Sequence, residues 1–149
     1  MRYPWGMTVP IEDALAAALR ERGQRVTPQR LAVARVMEGL AGHATAESVF
    51  RDVERQMPGV SLPTVYATLE LLDGLGLIRR VATERGAVVY DARTSDHHHL
   101  ACRRCGAMVD VEAPVEVGAL LAAARLSGFT PDRADVVIRG LCGACAAAG

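Results

Sequence analysis

Apolar positions along the first half of the chain fall at helical intervals. Ile11, Leu15, Ala18 and Leu19 line one face of a helix predicted over 11–22, which Gly23 ends. Thr27 and Pro28 form an N-cap and a first helical residue, and the helix they start runs to about Leu40 with Leu31, Ala34 and Met37 or Val36 inward. Thr45 caps a third helix through Gln56, with Val49, Phe50 and Val53 on its buried side, and Pro58-Gly59 is a turn. Ser61 caps a fourth helix, with Leu62, Val65, Leu69 and Leu72 toward the core and Thr64, Tyr66, Ala67, Thr68 and Leu71 off that line. The period then changes to two. Leu77–Val81 and Ala87–Tyr90 read as strands joined by a turn over 83–86. Small helices followed by a hairpin are the order of a winged helix-turn-helix, in which the last helix enters a major groove. The same order also fits a helical domain carrying a β-ribbon.

Arg93-Thr-Ser-Asp96 is a polar break and the best hinge. After it, 97–102 and 107–112 read as strands around a Cys-Arg-Arg-Cys-Gly turn. Val115–Leu126 reads as a helix and Asp135–Arg139 as a strand. The second half is thus a small α/β unit whose core is too small to stand without a staple or a partner subunit. The chain as a whole is expected to be α+β, its N-terminal half a winged helix-turn-helix or a helical domain with a β-ribbon, followed by a small α/β domain. We divide it into a flexible arm (1–10), a winged-helix domain (11–91), a hinge (92–96) and a metal-bearing domain (97–149).

Composition narrows the classes. No apolar run in the 149 residues approaches the about 20 needed to cross a bilayer, and the first ten lack the apolar centre of a secretory signal. Seventeen basic residues, all Arg, balance seventeen acidic ones. Up to Tyr90 the count is eleven Arg against ten acids, so DNA binding must rest on placed arginines rather than on a general basic field. Aromatics at 4% are too few for a single-strand stacking platform.

The chemistry sits in the second half. Four cysteines form two pairs, Cys102/Cys105 and Cys142/Cys145. With no export signal the expected compartment is the reducing cytoplasm, where paired CxxC reads as a closed tetrahedral zinc site. Four free cysteines, one disulfide pair or a rubredoxin-like iron are the other readings. Beside them stands Asp96-His97-His98-His99. On a strand His97 and His99 share a face, half of a metal site, while His98 points away. Asp110 lies on the adjacent predicted strand, Asp91 just before the hinge, and His43 in the turn before the third helix.

These residues make the chain resemble the ferric uptake regulator family of metal-dependent transcription repressors. The matching stretches are Arg25-Val-Thr-Pro-Gln-Arg30, His43-Ala-Thr-Ala-Glu47, Ser61-Leu-Pro-Thr-Val-Tyr66, Gly76-Leu-Ile78, His97-His-His-Leu-Ala-Cys102, Cys105-Gly106, Asp110, Gly128-Phe129 and Gly140-Leu-Cys-Gly-Ala-Cys145. They cover nearly the whole chain from about residue 11 to 145.

The resemblance implies a homodimer on pseudo-palindromic double-stranded operator DNA, not an enzyme. It implies structural Zn(II) on Cys102, Cys105, Cys142 and Cys145, and a regulatory metal on His43, Asp91, His97, His99 and Asp110. Iron-uptake regulators usually carry Glu where this chain has Asp91, and zinc sensors often Cys, so Asp91 resembles the peroxide-sensing branch. Three imidazoles and two carboxylates suit Fe(II) or Mn(II) and leave a coordination position open to hydrogen peroxide. In that branch Fe(II)-catalysed oxidation strikes a ligand histidine, and His43 and His97 match the sensitive positions. A further site of some members uses the middle His, here His98, with a later His; no His follows His99, so this chain lacks that site. Tyr66 matches a residue that contacts thymine. Ser61 and Thr64 are placed for phosphates, and Arg25 and Arg30 for the backbone or minor groove. Ala67 stands where relatives often have Arg or Asn and cannot donate a hydrogen bond, which points to an altered operator.

Three readings compete with peroxide sensing. One is an iron-, manganese- or zinc-responsive repressor without it. The second is a metal-dependent hydrolase or oxidase on His97, His99 and Asp110, which has no acid/base group nearby except Asp96. The third is a zinc-ribbon interaction module, which leaves the histidines and the N-terminal helices unused.

Overall fold

The computed structural model describes residues 9–40, 42–82, 88–132 and 134–148. The expected arm over 1–10, apart from Val9 and Pro10, and the expected turn over 83–86 lie outside the described residues. The chain divides into two compact units, 1–94 and 95–149.

The first unit is built by three side-chain caps. Helix α1 (Ile11–Glu21) precedes α2 (Pro28–Gly39), where Thr27 Oγ1 accepts the Arg30 N–H and Pro28 supplies a preset φ. A short strand, β1 (His43–Thr45), runs straight into α3 (Ala46–Gln56), because Thr45 both ends the strand and caps the helix, accepting the Ser48 N–H at 3.3 Å. Ser61 caps α4 (Leu62–Gly74) through the Thr64 N–H. Strands β2 (Arg79–Ala82) and β3 (Val88–Asp91) complete an antiparallel sheet of order β1-β3-β2. The core is a continuous cluster that includes Leu15, Leu19, Val33, Met37, Val49, Val53, Val65, Leu69, Leu72, Ile78 and Tyr90. Helices on a three-stranded sheet in this order are a winged helix.

Several expectations are corrected here. His43 is in β1, not in a turn. A three-residue strand shows no period of its own, and only its partner β3 reveals it. On α1 the structure buries Ala16 with Leu15 and Leu19, whereas Ala18 is half-buried. Helix α2 buries Ala32, Val33, Ala34, Val36 and Met37, and Leu31 is half-buried, because α1, α3 and α4 all pack on it. Thr68 is buried with the core of α4, its hydroxyl satisfied by the Thr64 carbonyl at 2.7 Å.

In the second unit, β4 (His98–Cys102), β5 (Met108–Val111), α5 (Gly118–Leu126), β6 (Val137–Gly140) and α6 (Gly143–Ala147) follow in turn. The sheet order is β5-β4-β6, antiparallel on the β5 side and parallel on the β6 side. Helix α5 starts three residues later than expected, and α6 was not expected. The buried residues described in this unit are His97, His99 and Cys102, and none lies on α5. Leu100, Val109, Val115, Leu120, Leu126, Phe129, Ile138 and Leu141 are exposed. The hydrocarbon core of the chain therefore lies in the first unit.

Truncating that core has a defined cost. Leu69→Ala at a fully buried α4 position is expected to destabilise the chain by about 3 kcal/mol. Urea unfolding followed by helix circular dichroism measures this, and a loss below about 1 kcal/mol would show that α4 does not anchor the core.

Candidate metal and DNA sites

Parallel pairing of β4 with β6 gathers the cysteines. Cys102 closes β4 opposite Gly140, which closes β6, so both CxxC segments leave the sheet at one end. Gly106, with φ of 78°, turns the first knuckle back so that Cys102 donates its N–H to Ala107. Cys142 caps α6, and its own N–H points at Cys102 Sγ from 3.3 Å. The four sulfurs lie within 4.8 Å of one another. Cys105 Sγ and Cys142 Sγ are 3.8 Å apart, far beyond a disulfide bond. A tetrahedral ion with sulfur bonds of about 2.3 Å has an edge of about 3.8 Å. Backbone N–H groups of Cys105, Cys142 and Arg104 bring the Cys102 thiol down to about 5, so it is a thiolate at neutral pH. The neighbouring Cys142 sulfur pushes Cys145 up to about 12. Without a cation the cluster does not hold four negative charges, so Cys102 ionises while Cys145 keeps its proton; an ion among the sulfurs would let all four bind as thiolates, and the set fits Zn(II).

The second donor group divides between the units. In the first, β1 and β3 place His43 directly across from Asp91, with His43 Nε2 and Asp91 Oδ2 3.8 Å apart and both side chains buried. The other carboxylate oxygen, Oδ1, accepts the Arg93 N–H at 2.7 Å, an Asx turn that fixes the carboxylate plane. In the second unit, His97 Nδ1 lies 2.7 Å from the Ser95 carbonyl. A carbonyl only accepts, so Nδ1 carries the proton and Nε2 the lone pair in the neutral ring. That Nε2 is 3.0 Å from His99 Nε2 and 3.8 Å from Asp110 Oδ1. Two nitrogens about 3.0 Å apart match adjacent ligands at right angles on one ion with bonds of about 2.1 Å. His99 also pairs across the strands with Asp110. His97, one residue before β4, and His99 are buried with ring centroids 4.6 Å apart, on the shared face that alternation predicts.

The candidate DNA residues all belong to the first unit. Ser61 and Ala67 are exposed and Thr64 and Tyr66 half-buried along α4. Arg25 is exposed, and its carbonyl accepts from the Arg30 guanidinium at 2.9 Å. The Tyr66 hydroxyl donates to Glu47 Oε1 of α3 at 2.6 Å. This bond holds the Glu47 carboxyl below its ordinary range and the Tyr66 phenol above. Glu47, the Ser95 carbonyl and the Arg93 N–H were not read from the sequence. Only the last left a signal there, the Asp91-x-Arg93 spacing of an Asx turn.

The comparisons agree with this architecture. The family model described as "Ferric uptake regulator family" matches residues 21–137. The "Ferric uptake regulation protein 1" of Mycolicibacterium fortuitum is 41% identical over 80% of this chain and 74% of its own length. The "Peroxide operon regulator" of Bacillus subtilis is 32% identical over 91% of this chain and 92% of its own. Among solved structures, the Helicobacter pylori ferric uptake regulator superposes with a TM-score of 0.76 over 91% of each chain. Its 20% identity speaks for the fold.

The sulfur geometry predicts one tightly held Zn(II) per chain. Cys142→Ser should lose it, by elemental analysis after dialysis against a chelator. In the unaltered chain zinc should stay at pH 7 and leave in acid, where protons compete with the ion for the sulfurs. A chain that folds with no zinc at neutral pH contradicts the site.

Proposed function

The chain belongs to the ferric uptake regulator family, and we propose that it is a repressor that releases its operator in response to hydrogen peroxide. The family consists of metal-dependent transcription regulators, not enzymes, that bind operator DNA as dimers. The observation that carries the reading is the divided donor set. His43 and Asp91 sit in the winged-helix unit and His97, His99 and Asp110 in the other. Neither group alone completes the shell of a five- or six-coordinate ion. We assign all five to one regulatory metal. Their nitrogen and oxygen atoms suit Fe(II) or Mn(II), while the four cysteines take structural Zn(II).

Two of the ligands, Asp91 and His97, have supports of their own. The Arg93 N–H leaves Asp91 Oδ2 to the metal, and the Ser95 carbonyl fixes the His97 tautomer that presents Nε2. His43 ties the winged-helix unit to the metal, and the metal-loaded form is the one that fits the operator, a population shift. Fe(II) held by these five residues would activate hydrogen peroxide beside the imidazoles, which Mn(II) would not readily do; one peroxide oxygen would end on a ring carbon of His43 or His97 and the other would leave as water. Oxidation of His43 or His97 removes a nitrogen donor, the tie weakens and the operator is released.

Arg25, Arg30, Ser61, Thr64, Tyr66 and Ala67 form the DNA face, with α4 in a major groove. The second unit dimerises through its exposed apolar side chains, among them Leu100, Val109 and Ile138, which are cross-strand neighbours. No described helix is long and apolar enough to cross a membrane, and we place the regulator in the cytoplasm with its DNA. A second reading, a metal-responsive repressor without peroxide sensing, is favoured by the likeness to a protein named for ferric uptake regulation.

Peptide mass spectrometry separates the two. After brief low-dose peroxide, the Fe(II)-loaded protein should gain one oxygen on the peptides carrying His43 or His97, and the Mn(II)-loaded protein should not. Metal-dependent operator binding without such oxidation leaves the second reading in place.

A further inference from the structure

This inference deepens the operator reading above and rests on α4 lying in a major groove. A recognition helix usually selects bases with Arg, Lys, Asn or Gln, whose paired polar atoms match guanine or adenine. Helix α4 carries none of these, nor a His. Each of its hydroxyls makes a hydrogen bond within the protein, and the Ser61–Thr64 pair keeps one proton for the phosphate contact assigned to it. Thr64 Oγ1 lies 2.8 Å from Ser61 Oγ, Thr68 donates to the Thr64 carbonyl at 2.7 Å, and the single hydroxyl proton of Tyr66 goes to Glu47 at 2.6 Å. An ionised carboxylate makes that last bond strong, and the low Glu47 pKa keeps it ionised at neutral pH.

The N-terminal part of a recognition helix is the part that reaches base edges. On α4 its exposed side chains are Pro63 and Ala67, both hydrocarbon. Glu70, also exposed, lies a turn further along and offers only acceptors. One base presents hydrocarbon in the major groove, thymine through its C5 methyl. We propose that α4 reads its operator by apolar contact of Pro63 and Ala67 with thymine methyl groups, Glu47 acting as a positioning residue that withholds the Tyr66 hydroxyl from base recognition. Specificity then comes from buried methyls rather than from paired hydrogen bonds.

Thymine-to-uracil exchange removes the methyl and leaves every hydrogen-bonding atom in place. The test uses the full-length, zinc-replete, Mn(II)-loaded protein and the duplex it selects from a random pool, with uracil placed at one thymine at a time. Affinity should fall about fourfold for each methyl in contact. In Ala67→Gly the uracil penalty should vanish at one symmetry-related pair of thymines and persist at the others. The map on the unaltered protein decides the matter if that variant does not fold. Uracil changes below about 1.5-fold at every position, with tight binding intact, overturn the proposal. A parallel scan that replaces one cytosine at a time tests the Glu70 carboxylate as reader, and affinity lost only in that scan would overturn the proposal too. Failure to select any duplex is a different result. It removes the DNA-binding reading, and this inference with it.

Discussion

The antiparallel register of β1 on β3 is the constraint from which the account follows. It sets His43 across from Asp91, Ala44 across from Tyr90 and Thr45 across from Val89. A slip of one residue would turn His43 to the opposite face. The strand is three residues long and its last residue caps α3, so His43 lies two residues from the helix cap. Helix α3 packs on α4 and reaches its Tyr66 through Glu47. The path from a buried nitrogen donor to the surface proposed to meet bases therefore runs through one cap and one helix contact. Those few rigid parts are the kind of element whose two arrangements an ion can bias.

The second unit is organised differently. Its buried side chains are imidazoles and a thiol, not hydrocarbons. Burying such groups is costly unless their polar atoms are satisfied, and here His97 and His99 meet at 3.0 Å, His97 lies 3.8 Å from Asp110, and Cys102 Sγ accepts the Cys142 N–H at 3.3 Å. A unit of this kind folds by binding ions as much as by excluding water. Its parallel β4–β6 pairing matters for that reason, because it gathers the two CxxC segments at one end of the sheet. The apolar side chains it exposes, such as Phe129 and Leu120, are the hydrocarbon that a dimer would cover.

Much of this was legible in the sequence because its signals are local. Thr27, Thr45 and Ser61 announce their helices through cap chemistry within three residues, and each accepts the hydrogen bond expected of it. The two CxxC pairs and the i, i+2 spacing of His97 and His99 likewise announce clustered donors. What was illegible depends on distant partners. Strand β1 exists only by pairing with β3, about 45 residues later, so His43 read as a turn residue. The burial of nearly every apolar side chain of α2 reflects three helices around it, which no single periodicity encodes. The Tyr66–Glu47 bond joins two helices across nineteen positions and left no mark in either segment.

The central claim is that one metal couples the two units through His43, and coupling between sites is reciprocal. The direct measurement is Mn(II) titration of zinc-replete protein with and without saturating operator duplex, for the unaltered chain and for His43→Ala. The account predicts that duplex tightens Mn(II) binding by the same factor by which Mn(II) tightens duplex binding, about tenfold or more. It also predicts that His43→Ala brings that factor within twofold of unity while zinc is retained. A His43→Ala protein with the full reciprocal factor would contradict it.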